Sequence, residues 1–178
     1  MKTLTFALLI LWPTIWLSAQ PKQTLTSELT DLNGNKTDSW KIVEPGTATV
    51  LVFWKSSSTK CCDNLENLQS AWVDTLKNRG VKLVAICVDC NGNWSHIKPI
   101  MNGKNWDFDS YIDLNGDFKR TMGVNEIPCT ILLDQNQNMV CRYNGFCSGG
   151  SELICESILQ HLNPIDSTVE INADAKKK

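Results

Sequence analysis

The sequence contains few histidines and carries little net charge. It has two histidines in 178 residues, and its formal net charge is −2. The only basic cluster in the sequence is the run of three lysines at its end, Lys176–Lys178. Domains that bind nucleic acid carry a basic patch or stripe that neutralises phosphates. The composition therefore excludes a nucleic-acid partner, and we interpret the final lysines as part of a solvated tail.

A long apolar segment is also missing. The run from Leu4 to Leu17 is interrupted by Pro13 and is shorter than the ~20 residues that cross a bilayer. It follows Lys2 and ends in small and polar residues, which is the pattern of a secretory signal. We expect cleavage after Ala19 and an exported, periplasmic protein with no stable membrane span. An uncleaved anchor is the alternative.

The length of the chain requires no second domain, and the sequence has no internal repeat. We divide it into a signal peptide over residues 1–19, one domain over 20–163 and a polar tail over 164–178. The tail has too little apolar content to pack, so we expect it to be mobile.

Cysteine is too sparse for a scaffold held together by disulfides. The chain has eight cysteines, well below the share found in such scaffolds, although an exported protein is free to form disulfides. Eight cysteines allow 105 complete pairings, so the sequence does not give the connectivity.

The most informative stretch is an apolar run, a polar turn and the start of a helix. Residues 48–54 are nearly all apolar, which predicts a strand that is buried on both faces of a parallel sheet. A helix is predicted from about Thr59 to Gly80, with Gly80 as its C-terminal cap. Backbone N–H groups at the start of this helix would stabilise a thiolate there. Its apolar face has helical spacing and consists of Cys61, Leu65, Leu68, Trp72 and Leu76.

Strands and helices alternate through the rest of the chain. Asn33-Gly34 predicts a tight hairpin turn between two short strands, and residues 81–88 predict a second buried strand. A short helix is predicted over 94–101, and a strand after Pro128 is followed by an antiparallel return. Leu153, Ile154, Ile158, Leu159 and Leu162 form the apolar face of a final helix capped by Ser151.

Several of these features resemble thioredoxin-like proteins of the exported TlpA type. The segment beginning Phe53-Trp54 is similar to the Phe-Trp-x-x-Trp-Cys-x-x-Cys segment of that family, with Ser58 at the first cysteine position and Cys61 at the second. Gly123-Val124, followed by Ile127-Pro128, is similar to the segment that carries the family's cis proline. The resemblance implies an α/β fold: a thioredoxin-like central mixed sheet with flanking helices and an N-terminal β-hairpin.

Serine at the first position removes the usual attacking thiol, because a serine hydroxyl ionises far above neutral pH. We therefore expect thiol–disulfide exchange to use a cysteine pair from two elements. Cys61 or Cys62 would supply one thiol, and Cys90 or Cys129 the other. The resemblance implies a substrate groove formed by Ser58, Ile127, Pro128 and Trp54. The expected partners are thiols or disulfides of exported proteins or a redox partner protein, and no cofactor is expected.

Two other functions remain open. A redox-inactive binding module would keep the groove, with Trp94 and Trp106 as further lining, and would hold an extended peptide. Soft-metal (copper) binding would use Cys61, Cys62, Cys90, Cys129 and His96, although the spacing of the family's copper-binding members is absent.

The remaining cysteines are assigned to structure. Cys87 is predicted to lie in the core. Cys155 is expected to form a structural disulfide with Cys141 or Cys147, which would stabilise the domain by about 2–4 kcal/mol.

Overall fold

The computed structural model describes residues 26–89, 94–146 and 150–162. Its centre is a mixed sheet of seven strands, which confirms the expected fold class. The predicted signal peptide and tail lie outside these residues. The strands are β1 (Glu28–Asp31), β2 (Lys36–Asp38), β3 (Thr49–Trp54), β4 (Lys82–Cys87), β5 (Asp109–Ile112), β6 (Cys129–Leu133) and β7 (Met139–Asn144).

The order of the strands places β3 near the middle of the sheet, as β2-β1-β5-β4-β3-β6-β7. Strand β3 runs parallel to β4 and antiparallel to β6. All six residues of β3 are buried, as its apolar sequence predicts. The turn at Asn33-Gly34 joins β1 to β2 in the expected antiparallel hairpin.

Five α-helices flank the sheet in the part of the chain that the structure describes. The predicted short helix over 94–101 begins three residues later, at Ile97, because Trp94–His96 forms a turn. The first helix was not predicted from the sequence, since four residues are too few for a helical pattern. The helices are α1 (Ser39–Ile42), α2 (Thr59–Ala71), α3 (Ile97–Gly103), α4 (Asp117–Thr121) and α5 (Gly150–Leu162).

Helix α2 continues beyond Ala71 as a π-helical turn over Trp72–Leu76 and a 3₁₀ turn over Lys77–Arg79. Gly80 ends it with φ of 73°, the left-handed conformation that favours glycine, so the predicted cap is confirmed. The predicted apolar face is confirmed as well, because Cys61, Leu65, Leu68, Trp72 and Leu76 are all buried.

The two faces of the sheet pack against different helices. Val50, Val52 and Trp54 point to one side, where residues of α2, α3 and α5 join the same apolar cluster. Leu51 and Phe53 point to the other side and pack with residues of α1 and α4. This alternation follows from the two-residue period of a strand. No helix in the described part of the chain is long and apolar enough to cross a membrane.

Candidate active site

The polar turn between β3 and α2 consists of Lys55–Ser58. Ser58 is the N-cap residue of α2, and its hydroxyl accepts a hydrogen bond from the Cys61 N–H at 3.4 Å. Its carbonyl oxygen also accepts from the N–H groups of Cys61 and Cys62, at 3.0 and 3.1 Å. Serine is among the residues preferred at this position, because its oxygen satisfies a donor that the helix leaves unpaired. Ser58 therefore acts as a helix cap at the position where the resemblance places an attacking thiol.

Asp89, just beyond β4, fixes the shape of this turn. One carboxylate oxygen accepts from the N–H of Ser56 at 2.9 Å, and the other accepts from the N–H and hydroxyl of Ser57 at 3.0 and 2.7 Å. The Cys87 thiol donates to Asp89 Oδ1 at 3.1 Å. Burial raises the pKa of Asp89, but the hydrogen bonds from Ser56, Cys87 and Ser57 outweigh it and hold the pKa below its ordinary value.

His96 contacts the same turn from the start of α3. Its Nε2 atom lies 2.9 Å from the Ser56 hydroxyl oxygen. That hydroxyl also lies 3.2 Å from both oxygens of Asp89. Because the single hydroxyl hydrogen is directed to the carboxylate, the Ser56 oxygen accepts from Nε2–H of His96. His96 is exposed, and this contact makes it part of the support of the turn.

Two of the predicted catalytic cysteines have no exposed surface. Cys61 and Cys129 are both 0% exposed. Cys61 lies on the inward face of α2, and the Cys129 thiol donates to Asn144 Oδ1 at 3.3 Å. Burial raises the pKa of Cys129. A disulfide in solution cannot reach either sulfur in this conformation, so neither can be the attacking thiol.

Cys62 differs from these two because it is only half-buried. Burial raises its pKa, and the nearby Cys61, Asp63 and Asp89 raise it further when they carry negative charge. The positive charge of Lys104 opposes this and lowers the pKa. Cys62 is therefore an accessible thiol whose thiolate form is disfavoured at neutral pH.

The Ile127–Pro128 segment lies beside the turn through the pairing of the strands. The peptide bond between them is cis, and Cys129, the next residue, pairs with Phe53 of β3. Pro128 is buried and its carbonyl oxygen accepts from the Gly145 N–H at 2.7 Å, whereas Ile127 is half-buried. Ile127 is therefore the member of this segment with more surface to offer to a bound chain.

Trp54 does not line a groove, contrary to the sequence-based prediction. Its side chain is 0% exposed and packs edge-on against Trp106, with ring centroids 5.7 Å apart. Trp106 is also buried, at 7%. The end of a central strand directs Trp54 into the core under α2. Trp94, which is half-buried, is the indole of this predicted set that keeps exposed surface.

The cysteine pairs proposed from the sequence are not formed among the described residues. Cys61, Cys62, Cys129, Cys141 and Cys155 are all free thiols. Cys87 is buried at the end of β4, as predicted. The Cys141–Cys155 alternative is therefore not formed, while Cys90 and Cys147 lie outside the described residues. Within the same part of the chain, no group of three or more His, Cys, Asp or Glu side chains is placed to hold a metal ion.

Solved structures with the same architecture define the class of protein. An uncharacterized thioredoxin-like protein from Porphyromonas gingivalis is 27% identical, with a TM-score of 0.68 over 78% of this chain and 91% of that one. A secreted Mycobacterium tuberculosis disulfide oxidoreductase, described as homologous to E. coli DsbE, is 17% identical with a TM-score of 0.62, over 79% and 98%. A thiol:disulfide interchange protein of the thioredoxin family from Chlorobium tepidum is 17% identical with a TM-score of 0.60, over 79% and 98%. The fold is thioredoxin-like.

The family is shown by a second comparison. The profile of the AhpC/TSA family matches residues 21–144, which is more than half of the chain. The protein belongs to the AhpC/TSA family. A comparison with curated proteins finds no match.

Some residues of the site could not be found from the sequence. The contacts of Asp89 with Ser56 and Ser57 join residues more than 30 positions apart, and Lys104 approaches Cys62 from a different helix. The sequence did offer one indication: Glu66 follows Cys62 by four residues, which places both side chains on one face of α2.

Proposed function

We propose that this protein carries out thiol–disulfide exchange with other exported proteins, using Cys62 as the accessible thiol. The observation that supports this is the position of Cys62. Within the described part of the chain, it is the cysteine that combines partial exposure with a place in the first turn of α2. A thiol at a helix start beside an exposed turn is a suitable place for exchange in a thioredoxin-like fold.

Cys90 is the better of the two candidate partners. Cys129 is buried and its thiol is bonded to Asn144. Cys90 directly follows Asp89, whose carboxylate binds the turn before α2 and whose charge acts on the Cys62 thiol. We therefore propose Cys62 and Cys90 as the exchanging pair.

The chemistry needs two thiols and transfers two electrons. The Cys62 thiolate attacks one sulfur of a substrate disulfide, forms a mixed disulfide and releases the other substrate sulfur as a thiolate. The Cys90 thiolate then attacks the Cys62 sulfur and releases the second substrate thiolate. The substrate gains two electrons and two protons, and the protein is left with a Cys62–Cys90 disulfide. The reverse sequence oxidises a substrate dithiol.

A bound substrate chain would lie between the Ser58 turn and the Ile127–Pro128 segment. Ser58 and Ile127 are both partly exposed on neighbouring parts of the sheet edge. The predicted secretory signal supports action on exported proteins, since disulfides persist outside the cytosol.

The test is a disulfide map of the mature protein after equilibration with glutathione disulfide, together with turnover in an insulin-reduction assay. We expect a peptide that links Cys62 to Cys90, and loss of turnover in both Cys62→Ser and Cys90→Ser. Cys141→Ser is the matched control, because Cys141 is also half-buried but lies on β7; its turnover should stay within about twofold. A Cys62–Cys129 link would overturn the pairing.

The second candidate is a redox-inactive binding module. It is favoured by the burial of Cys61 and Cys129 and by serine at the cap position. Absence of insulin turnover in the wild-type protein, with peptide binding that survives Cys62→Ser, would support this function and contradict the first.

A further inference from the structure

Lys104 and Glu66 form an ion pair on the exposed face of α2, close to Cys62. Glu66 follows Cys62 by four residues, so the two side chains lie on the same face of the helix. Lys104, the C-terminal cap residue of α3, places its Nζ atom 2.6 Å from Glu66 Oε2. Both side chains are accessible, at 40% and 54% exposure. A lysine and a carboxylate from two different helices thus meet beside the thiol.

The charges in this cluster act on one another. The hydrogen bond and charge of Glu66 raise the pKa of Lys104, and negative charge on Cys62 and Asp63 adds to this effect. In return, Lys104 is the cation that lowers the pKa of Cys62, against the opposing effects of burial, Cys61, Asp63 and Asp89. Lys104 therefore interacts with both Glu66 and Cys62, so its ion pair with Glu66 affects how much positive charge the thiol experiences.

We propose that Lys104 is a positioning residue that stabilises the Cys62 thiolate, and that its ion pair with Glu66 limits this stabilisation. When Glu66 holds the ammonium group, part of the positive charge at Cys62 is cancelled. When Cys62 ionises, Lys104 has a second anion on the same helix face to attract it. This inference rests on the proposed role of Cys62 in exchange, but it concerns ionisation of the thiol and can be measured without any substrate.

The measurement is the rate at which iodoacetamide alkylates Cys62 in the full-length protein, followed against pH. Mass-spectrometric fragment ions separate modification at Cys62 from modification at Cys61. Both side chains are exposed and solvent screens their charges, so we expect modest changes of about two- to fivefold at pH 7.5. Lys104→Gln should slow alkylation and move the pH profile to higher pH. Glu66→Gln should speed it and move the profile to lower pH.

Two controls separate an electrostatic effect from a structural one. Lys77→Gln breaks an ion pair of the same length, 2.6 Å to Asp107, but Lys77 does not act on Cys62, so the alkylation rate should not change. Lys104→Arg keeps the positive charge and should keep the wild-type profile. The differences should shrink in about 1 M salt, where the Debye length is about 3 Å.

The proposal is overturned if Lys104→Gln alkylates at the rate of the Lys77→Gln control, or if Glu66→Gln slows the reaction. Insulin reduction by the same variants tests the role of Lys104 separately from the proposed exchange function of Cys62. If the alkylation rate changes in the variants but the protein does not reduce insulin, the role of Lys104 is supported and the exchange function is contradicted. If the protein reduces insulin but the alkylation rate does not change in the variants, the exchange function is supported and the role of Lys104 is contradicted.

Discussion

At the scale of single residues, the site is defined by a serine at position 58, where thiol–disulfide exchange would need a cysteine. Ser58 caps α2 and binds the N–H of Cys61, three residues later. Its hydroxyl stabilises the helix but cannot attack a disulfide, because it does not ionise near neutral pH. Among the described cysteines, the partly exposed thiol beside this turn is Cys62, which lies in the first turn of α2 and has a raised pKa. Any exchange by the natural protein should therefore become faster as the pH rises above neutral.

Ser58→Cys should create a fast exchange site. The new thiol would stand at the helix start, three residues before Cys61, where the N–H groups favour a thiolate. We expect insulin reduction at pH 7 to rise roughly tenfold, since the thiolate fraction of a thiol increases about this much in such a motif. The helix would lose its cap, at a cost of about 1 kcal/mol. Thr59→Cys, at the neighbouring exposed position, is the control and should not give this gain. Equal rates in the two variants would contradict the importance of the three-residue spacing.

The places of the site residues in the fold could be predicted from the sequence, but their surroundings could be predicted only in part. The spacing of Phe53-Trp54 and the helical period located Ser58 and placed Cys61 on the inward face. Whether a side chain at the end of a strand is exposed depends on what covers it, so the burial of Trp54 beneath α2 and Trp106 was missed. The ion pair of Lys104 with Glu66 joins positions 38 apart, and no local pattern reports such a contact.

At the scale of elements, the turn before α2 is held by its neighbour in the sheet. Asp89 follows β4, which runs parallel to β3, so both strands end at the same edge and the carboxylate reaches the turn. The strand ends and the start of α2 were predictable from apolar runs and from the helical period. The hydrogen bonds from Ser56 and Ser57 to Asp89, which brace the turn, were not predictable, because they depend on the register of two strands that are distant in sequence.

Asp89→Asn should loosen this connection. An amide retains one acceptor oxygen, so the donors from Ser56 and Ser57 cannot all be satisfied, and we expect a loss of about 1–2 kcal/mol at pH 7. The native pKa lies below the ordinary value of about 3.9. The ionised Asp89 carboxylate therefore contributes fully to the free energy of unfolding above that pH, and this contribution is lost as the pH falls through the depressed native pKa. The difference from wild type should be the same at pH 7 and pH 5 and should shrink below about pH 4.

Urea unfolding in the presence of a reductant, at pH 7, 5 and 3, measures this dependence. Asp63→Asn is the control, because Asp63 is exposed on α2, and it should change the free energy of unfolding by less than about 0.5 kcal/mol. A loss that stays constant down to pH 3 would contradict the assignment to the Asp89 carboxylate.

At the scale of the whole molecule, the order of strands and helices is what the sequence predicts best. Buried β3, the β1–β2 hairpin, the strand after Pro128 and the final helix all form as expected. Each depends on an apolar run or on turn residues that act locally. The helix α1 was missed because a single turn leaves no period to detect.

Export of the whole chain is a prediction at this scale. Expression of the full sequence in a Gram-negative host should yield a periplasmic protein whose intact mass corresponds to a chain beginning at Gln20. Ala19→Arg should reduce processing by at least about tenfold, because signal cleavage needs a small residue at that position. Recovery of the uncleaved wild-type chain from the membrane fraction would support the alternative of an anchor.

The Asp89 carboxylate holds the turn mainly through the backbone N–H groups and hydroxyls of Ser56 and Ser57. The Cys87 thiol adds one hydrogen bond to this network, but none of these contacts requires a disulfide. The same framework could host different reactive groups at position 58 without being rebuilt, which makes this loop a candidate for grafting new chemistry onto an existing protein.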